Sequence, residues 1–381
     1  MQKEKHLIFV GITGFPDSPE APIQRCLHLG AAVQSRGWKV SFLNRLPFRT
    51  GSYNKDTTDL FRYRSFYDTK IGRLVCKCLS FLLEPFVIRK LVGNSTKTVL
   101  FVYTQFFGMV VYYRIIARIF GLKTCLSYVE LRSSIPTRKK PFQKINDYFF
   151  DRYAFSFVDA VNPISNSLSK RVSKFYPGKP QILIPCICNF SQFGLRRKEL
   201  AFEYFLYCGS AGYTEVIMVV IDAYRMLPQR TARLLLIISG SPAGLQKIAD
   251  YVGKDDNIVI ESNIEYERLV NLYSSALALL IPLRPTPQDL NRFPHKISEY
   301  TASKRPIITT GVGEVVHYFT DKESAIIADG FAASQLSKAM TWAVENKEQL
   351  DQIGINGFLI GLQAFSHMAH RERLEIFLNN I

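Results

Sequence analysis

Short apolar runs alternate along the chain with longer stretches in which apolar positions recur every three or four residues. Residues 7–11 form such a run; Ile23, Leu27, Gly30 and Ala31 then mark one face of a helix over 23–36, Gly37 stops it, and 39–43 is apolar again. A buried strand, a helix and a second strand in that order predict the βαβ unit of a parallel sheet. The alternation continues through a strand at 99–103, a helix at 108–120, a strand at 123–128, a helix at 143–157, a short strand at 160–162 and a helix at 165–176, the last opened by a Ser165 cap. A final strand is expected at 181–184.

Residues 189–203 then turn polar and basic, with Asn189, Ser191, Arg196, Arg197 and Lys198, as a linker does. A second series follows: strands at 204–207, 233–238, 258–260, 276–281 and 306–309, helices at 216–226, 242–252, 266–275 and 294–303. Two doubly wound, Rossmann-like α/β domains are predicted, 1–188 and 189–364, with a C-terminal helix at about 365–381 returning to the first. The length of 381 residues agrees, since a single core rarely grows past roughly 250–300 residues. In such domains ligands bind at the carboxyl ends of the strands.

The polar Met1-Gln2-Lys3-Glu4-Lys5 stands before only a short apolar run, so no signal peptide is expected. The longest apolar stretch, 99–113, is interrupted by Thr104 and Gln105 and closed by Arg114 and Arg118, too short to span a bilayer. Seven cysteines, at 26, 76, 78, 125, 186, 188 and 208, show no metal-ligand spacing with the six histidines. They read as small buried hydrophobes of a cytoplasmic protein without a metal.

Charge divides the chain. Residues 1–190 carry 29 Lys and Arg against 11 Asp and Glu, whereas 191–381 carry 19 against 21. The first half is therefore expected to meet an anionic partner. Within 67–91, Lys70, Arg73 and Lys77 accompany an apolar arc of Ile71, Leu74, Val75, Cys78, Leu79, Leu82 and Phe86. That pattern suits a helix lying on an anionic membrane, or a core helix with a solvated basic edge. A second cluster, Arg132, Arg138, Lys139, Lys140, Lys144 and Arg152, has Phe142, Phe149 and Phe150 nearby. Nucleic acid is the competing partner, but no helix-turn-helix, zinc finger or aromatic RNA-binding signature accompanies the charge.

Small-residue turns follow two strands of the second half, at Gly209-Ser210 and Gly240-Ser241, where backbone N–H groups can approach a phosphate. The segment 282–310 carries more. Arg292, Lys296 and Glu299 arrive at spacings of four and three; with Pro294 in a first helical turn, Lys296 and Glu299 share one face. Such a cation can meet a diphosphate and such a carboxylate two hydroxyls, although spacing alone equally describes a surface ion pair.

The run Arg292-Phe293-Pro294-His295-Lys296-Ile297-Ser298-Glu299-Tyr300-Thr301-Ala302, continuing through Lys304-Arg305-Pro306-Ile307-Ile308, resembles the donor-binding signature of GT-B glycosyltransferases of family 4. Weaker likeness extends to Asn162-Pro163-Ile164-Ser165, to Tyr207-Cys208-Gly209-Ser210 and to 269–282. The resemblance implies a GT-B fold, two Rossmann-like domains facing a central cleft, and transfer of a sugar from a nucleotide-sugar donor, UDP- or GDP-linked. It implies retention, no obligatory metal and no further cofactor. Glu299 would match the second glutamate of the family's E-x7-E motif and hold the ribose; Lys296 and Arg292 would lie at the diphosphate. Gly209, Ser210, Gly240 and Glu314 would line the donor site.

Two departures stand out. The first glutamate position of that motif is Asn291, and the lysine usually found after the first glycine turn falls at Glu215 or is absent. The first domain is expected to hold the acceptor, through the turn Gly11 to Gly14 and through Glu130, with a catalytic part, and Arg132 beyond another strand. A lipid-linked glycan acceptor and peripheral attachment to the inner face of the plasma membrane fit the basic segments. A sugar-nucleotide epimerase of the same fold and a non-catalytic glycan- or membrane-binding partner are the alternatives.

Overall fold

The computed structural model describes residues 4–11, 21–45, 57–59, 69–193 and 200–381. They form two compact units, Met1–Pro185 together with His370–Ile381, and Cys186–Ala369.

The first unit runs β1 (Lys5–Val10), α1 (Ala21–Gln34), β2 (Lys39–Asn44), β3 (Thr57–Asp59), α2 (Lys70–Val92), β4 (Lys97–Val102), α3 (Phe107–Phe120), β5 (Lys123–Tyr128), α4 (Pro141–Tyr153), β6 (Ala160–Pro163) and α5 (Asn166–Phe175). Its six strands are all parallel, in the order β3-β2-β1-β4-β5-β6. The second unit runs β7 (Tyr204–Ser210), α6 (Thr214–Arg225), β8 (Arg233–Ser239), α7 (Pro242–Val252), β9 (Ile258–Glu261), α8 (Tyr266–Ser275), β10 (Ala278–Ile281), α9 (Pro287–Asn291), α10 (Lys296–Ala302), β11 (Ile307–Thr310), α11 (Val315–Tyr318), β12 (Ile326–Ala328), α12 (Ala333–Glu345) and α13 (Lys347–Ala364).

Its sheet, β12-β11-β10-β7-β8-β9, is also wholly parallel and repeats the first order read from the other edge. Both sheets reverse direction of strand addition between their first and fourth strands, which opens a crevice at the carboxyl ends there. The strands explain the sequence pattern: β1, β4 and β8 are covered on both faces, so they read as continuous apolar runs rather than alternating ones.

Helix α14 (Arg371–Asn380) belongs to the first unit and packs on α1. Arg36 pairs with Glu375 at 2.6 Å, and Lys97 Nζ donates to the carbonyls of Asn379 and Ile381 at 2.6 and 2.9 Å.

The expected strand at 181–184 is reduced to a single bridge from Gln181 to Val161. Ile182 and Ile184 still donate to Val161 and Pro163, but their carbonyls are taken by side chains, Ile182 by Asn162 at 2.8 Å and Ile184 by Arg25 at 2.7 Å. No ladder can extend from there. The helix expected to reach 157 stops at Tyr153 and tightens into a single turn, Ala154–Phe157.

Helix α2 is built inside out. Its buried stripe is Gly72, Cys76, Ser80, Glu84 and Ile88, while Ile71, Leu74, Leu82 and Phe86 are 62–77% exposed. The apolar arc thus faces away from the core, against the core-helix reading. Glu84 explains the choice of face: it is fully buried, 3.3 Å from the Arg45 guanidinium, and accepts from the Tyr113 hydroxyl at 2.7 Å. Burial pushes its carboxyl up despite both partners. The side chains of Lys70, Arg73 and Lys77 lie outside the described residues. Among the described residues, no helix is long and apolar enough to cross a membrane.

The seven cysteines are free; five are buried as expected, whereas Cys78 is exposed and Cys208 half-buried.

Candidate functional site

The carboxyl end of β7, at the reversal point of the second sheet, is where the sequence signature gathers. The Cys208 N–H donates to the Tyr300 hydroxyl at 3.1 Å, which ties the turn after β7 to α10. Tyr300 is fully buried and meets Tyr273 edge to face, ring centroids 5.1 Å apart. Lys296, at the start of α10, places Nζ 2.9 Å from the Tyr273 hydroxyl and 2.9 Å from Glu299 Oε2. The other carboxylate oxygen of Glu299 lies 3.4 Å from the Tyr266 hydroxyl and 3.7 Å from His295 Nε2.

The two ions hold each other charged. Burial works against both; for Lys296 the charge of Glu299 and the neighbouring Cys208 prevail and raise its pKa. For Glu299 the charges of Lys296 and His295, with hydrogen bonds from Lys296 and Tyr266, prevail and lower it. The carboxylate is 4% exposed, so the solvated surface pair that spacing alone allowed is excluded.

Arg292 does not share the helix of Lys296. Two short helices, α9 and α10, flank it, with Arg292 itself extended between them; α9 was not expected, and α10 begins at Lys296 rather than at 294, after Pro294. Its guanidinium is 2.8 Å from Asp289, donates to the Tyr213 hydroxyl and lies 4.7 Å over the Tyr213 ring. Asp289 is fully buried and also pairs with Arg284 at 2.9 Å. Burial opposes its charge, but the bonds from Arg284 and the charge of Arg292 hold its carboxyl below the usual range. Arg284 reaches Glu215 at 3.4 Å, so the residue standing where a lysine was expected has a cation brought to it from the loop after β10.

The glycine turns meet one another. A Cβ on Gly240 would lie 2.7 Å from the Ala211 side chain, and one on Gly209 2.7 Å from the Tyr207 hydroxyl. Ser210 Oγ accepts from the Gly212 N–H and Ser241 Oγ from that of Gly244, each at 3.2 Å. Gly313, at φ +62°, backs onto Asp289, where a Cβ would come within 2.9 Å of its carbonyl; Glu314 next to it is buried. Asn291 donates to the Pro287 carbonyl at 2.6 Å within its own turn.

In the first unit the corresponding reversal point lies between β1 and β4. Gly11, at φ +89°, backs onto the Tyr103 carbonyl, 2.8 Å from where a Cβ would stand, so any side chain is barred there. Burial raises the Tyr103 phenol, which also feels the charges of Arg25, Glu130 and Arg132. Glu130 lies 3.6 Å from Arg132, whose Nε is buried without a hydrogen-bond partner among the described residues. Gly14 lies outside the described residues.

Asp289, Arg284, Tyr213, Tyr266 and Tyr273 were not singled out from the sequence. The tyrosines arrive from α8 and from the turn before α6, remote in sequence. Asp289, three residues before Arg292, carried the one usable signal. Among the described residues no group of His, Cys, Asp and Glu could hold a metal ion.

Residues 195–359 match the family described as Glycosyl transferases group 1. No curated protein sequence matches the chain. Among solved structures, sucrose-phosphate synthase from Thermosynechococcus elongatus superposes with a TM-score of 0.76 at 14% identity, over 99% of this chain and 98% of that one. The Anabaena protein HepE in complex with UDP and glucose gives 0.71 at 12% identity, over 99% and 100%. The pneumococcal O-GlcNAc transferase GtfA in complex with UDP and GlcNAc gives 0.68 at 11% identity, over 100% and 99%. The chain thus has the GT-B fold, and its residues 195–359 are similar to the group 1 glycosyltransferases.

Proposed function

We propose that the chain moves a sugar from a UDP- or GDP-linked donor, held in the second unit, to a hydroxyl of a lipid-linked glycan. The product would be a surface polysaccharide or a related glycan. The observation that carries this reading is the Lys296–Glu299 pair beside Cys208, at the carboxyl end of β7. Glu299 accepts two ribose hydroxyls. Lys296 turns an N–H toward the diphosphate, with Arg292 as the second cation, while the N–H groups of the Gly209-Ser210 and Gly240 turns approach the phosphates.

Transfer breaks the bond from the anomeric carbon to the diphosphate oxygen and forms one to the acceptor oxygen, with retention, while the acceptor hydroxyl gives its proton to the departing diphosphate. Charge grows on the departing nucleoside diphosphate. Fixed cations stabilise it there, which is how this site would accelerate the step without a metal. Glu130 and Arg132, at the end of β5, orient the acceptor.

Attachment to the cytoplasmic face of an anionic membrane is supported by the outward apolar face of α2 and by the exposed Phe142, Ile145 and Phe149 of α4, in the half that carries the basic excess. The test is release of nucleoside diphosphate from a panel of UDP- and GDP-sugars in the presence of a lipid-linked acceptor. Transfer that survives Lys296→Ala would sink the assignment of that residue. Appearance of an isomerised free donor instead would replace transfer with epimerisation. If no nucleotide sugar binds by calorimetry, the reading fails altogether.

A further inference from the structure

A cavity of about 270 Å³ opens in the first unit between α4, α5 and the turn at Ser133. Lys144, Tyr148 and Arg152 reach it from successive turns of α4, Arg171 and Phe175 from one face of α5. Both Arg152 and Arg171 lie over the Phe175 ring, at 5.5 and 5.0 Å from its centroid. Two guanidinium groups are thereby held against one aromatic ring, which gathers like charges at the cavity.

The carboxylates in the wall are already committed. Asp147 is bound by both arms of Arg138, and Asp151 accepts the N–H groups of Arg132 and Ser133 at 3.1 and 2.7 Å. Among the described residues no carboxylate lies within ion-pair distance of Lys144, Arg152 or Arg171; Arg171 spends one N–H on the Asp151 carbonyl at 3.3 Å, and its charge also reaches the Asp151 carboxyl and the Tyr128 phenol. Lys144, Arg152 and Arg171, beside an Arg138 already paired with Asp147, therefore face a space with room for a phosphate or diphosphate. Phe142, Ile145 and Phe149, exposed on the same helix, put apolar surface beside it.

We propose that this cavity is an anion site for a phosphate monoester or diphosphate, carried by a lipid head or free in solution. Planar guanidinium groups and a lysine suit phosphate oxygens, and the apolar side chains of α4 would sit among the acyl chains when the phosphate belongs to a lipid. The site is independent of the transfer reaction.

Two arms test it. Inorganic pyrophosphate is titrated into the intact protein by calorimetry, and the protein is sedimented with phosphatidylcholine vesicles containing phosphatidic acid or, at matched charge, phosphatidylglycerol. Arg152→Gln, at an exposed position that leaves the fold intact, and Arg171→Gln should each weaken pyrophosphate binding about tenfold. Lys254→Gln, on the second unit, should not. Loss of the preference for phosphatidic acid in the same variants assigns the site to lipid heads; its absence alongside lost pyrophosphate binding assigns it to free phosphate. Pyrophosphate binding that Lys296→Ala removes and that both arginine variants leave unchanged would overturn the proposal.

Discussion

Lys296 and Glu299 stand 2.9 Å apart on one turn of α10, with the Tyr273 hydroxyl equally close to the lysine, so the ammonium is fixed in place by groups that are themselves buried. Lys296→Ala should lower kcat/KM about a hundredfold with any nucleotide sugar. Glu299→Gln should weaken nucleotide binding roughly tenfold, the share of one charge-assisted hydrogen bond. Steady-state kinetics and nucleotide titration check both.

Asp289 sits between Arg284 and Arg292 and is fully buried. Asp289→Asn leaves two arginines short of their counter-charge, and urea denaturation should show a loss of about 3 kcal/mol. The pH dependence has a definite sign. With a folded pKa below the ordinary 3.8, its contribution is present above that value and is lost as pH falls through the lower folded one. The variant should therefore show a shallower acid limb below about pH 4 than the parent.

His6 is buried with its ring between the Leu91 carbonyl at 3.1 Å and Ser41 Oγ at 2.9 Å. Burial, aided by the charge of Lys39, lowers its pKa to about 4 from 6.5. Stability linked to the neutral ring is complete above pH 6.5 and declines as the medium is acidified toward 4, by on the order of 3 kcal/mol. In His6→Gln the slope of unfolding free energy between pH 6.5 and 4 should flatten; an unchanged slope would show that the ring titrates freely.

The outward face of α2 can be changed without touching the core. Leu74→Ser, Leu82→Ser and Phe86→Ser together should reduce pelleting with anionic vesicles about tenfold. Each should alter the urea midpoint by no more than roughly 0.5 kcal/mol of stability. A loss of several kcal/mol would mean these side chains are covered.

The alternation of buried strands and helices was legible because both sheets are parallel and covered on two faces, so strands such as 99–103 stand out as apolar runs closed by turns. Strands β3 and β12, three residues each at sheet edges, are too short to produce a pattern. Periodicity alone left the orientation of α2 open: it reports which residues lie together, not which side the core is on, and only the partners of Glu84 decide that. At the candidate site, Lys296 and Glu299 were readable through their spacing and the motif around them. The tyrosines that hold them were not, since Tyr266 and Tyr273 become neighbours of α10 only through the sheet's strand order.

The placement of α14 sets an order of assembly. Residues 370–381 are synthesised after the whole of the second unit, yet they cover α1 and anchor Lys97 in the first. On the ribosome the first unit would wait, with that surface of α1 open, while the second folds behind it. The part of the protein made earliest is thereby the part finished last, and a chain cut short by a dozen residues would leave its first unit, not its second, incomplete.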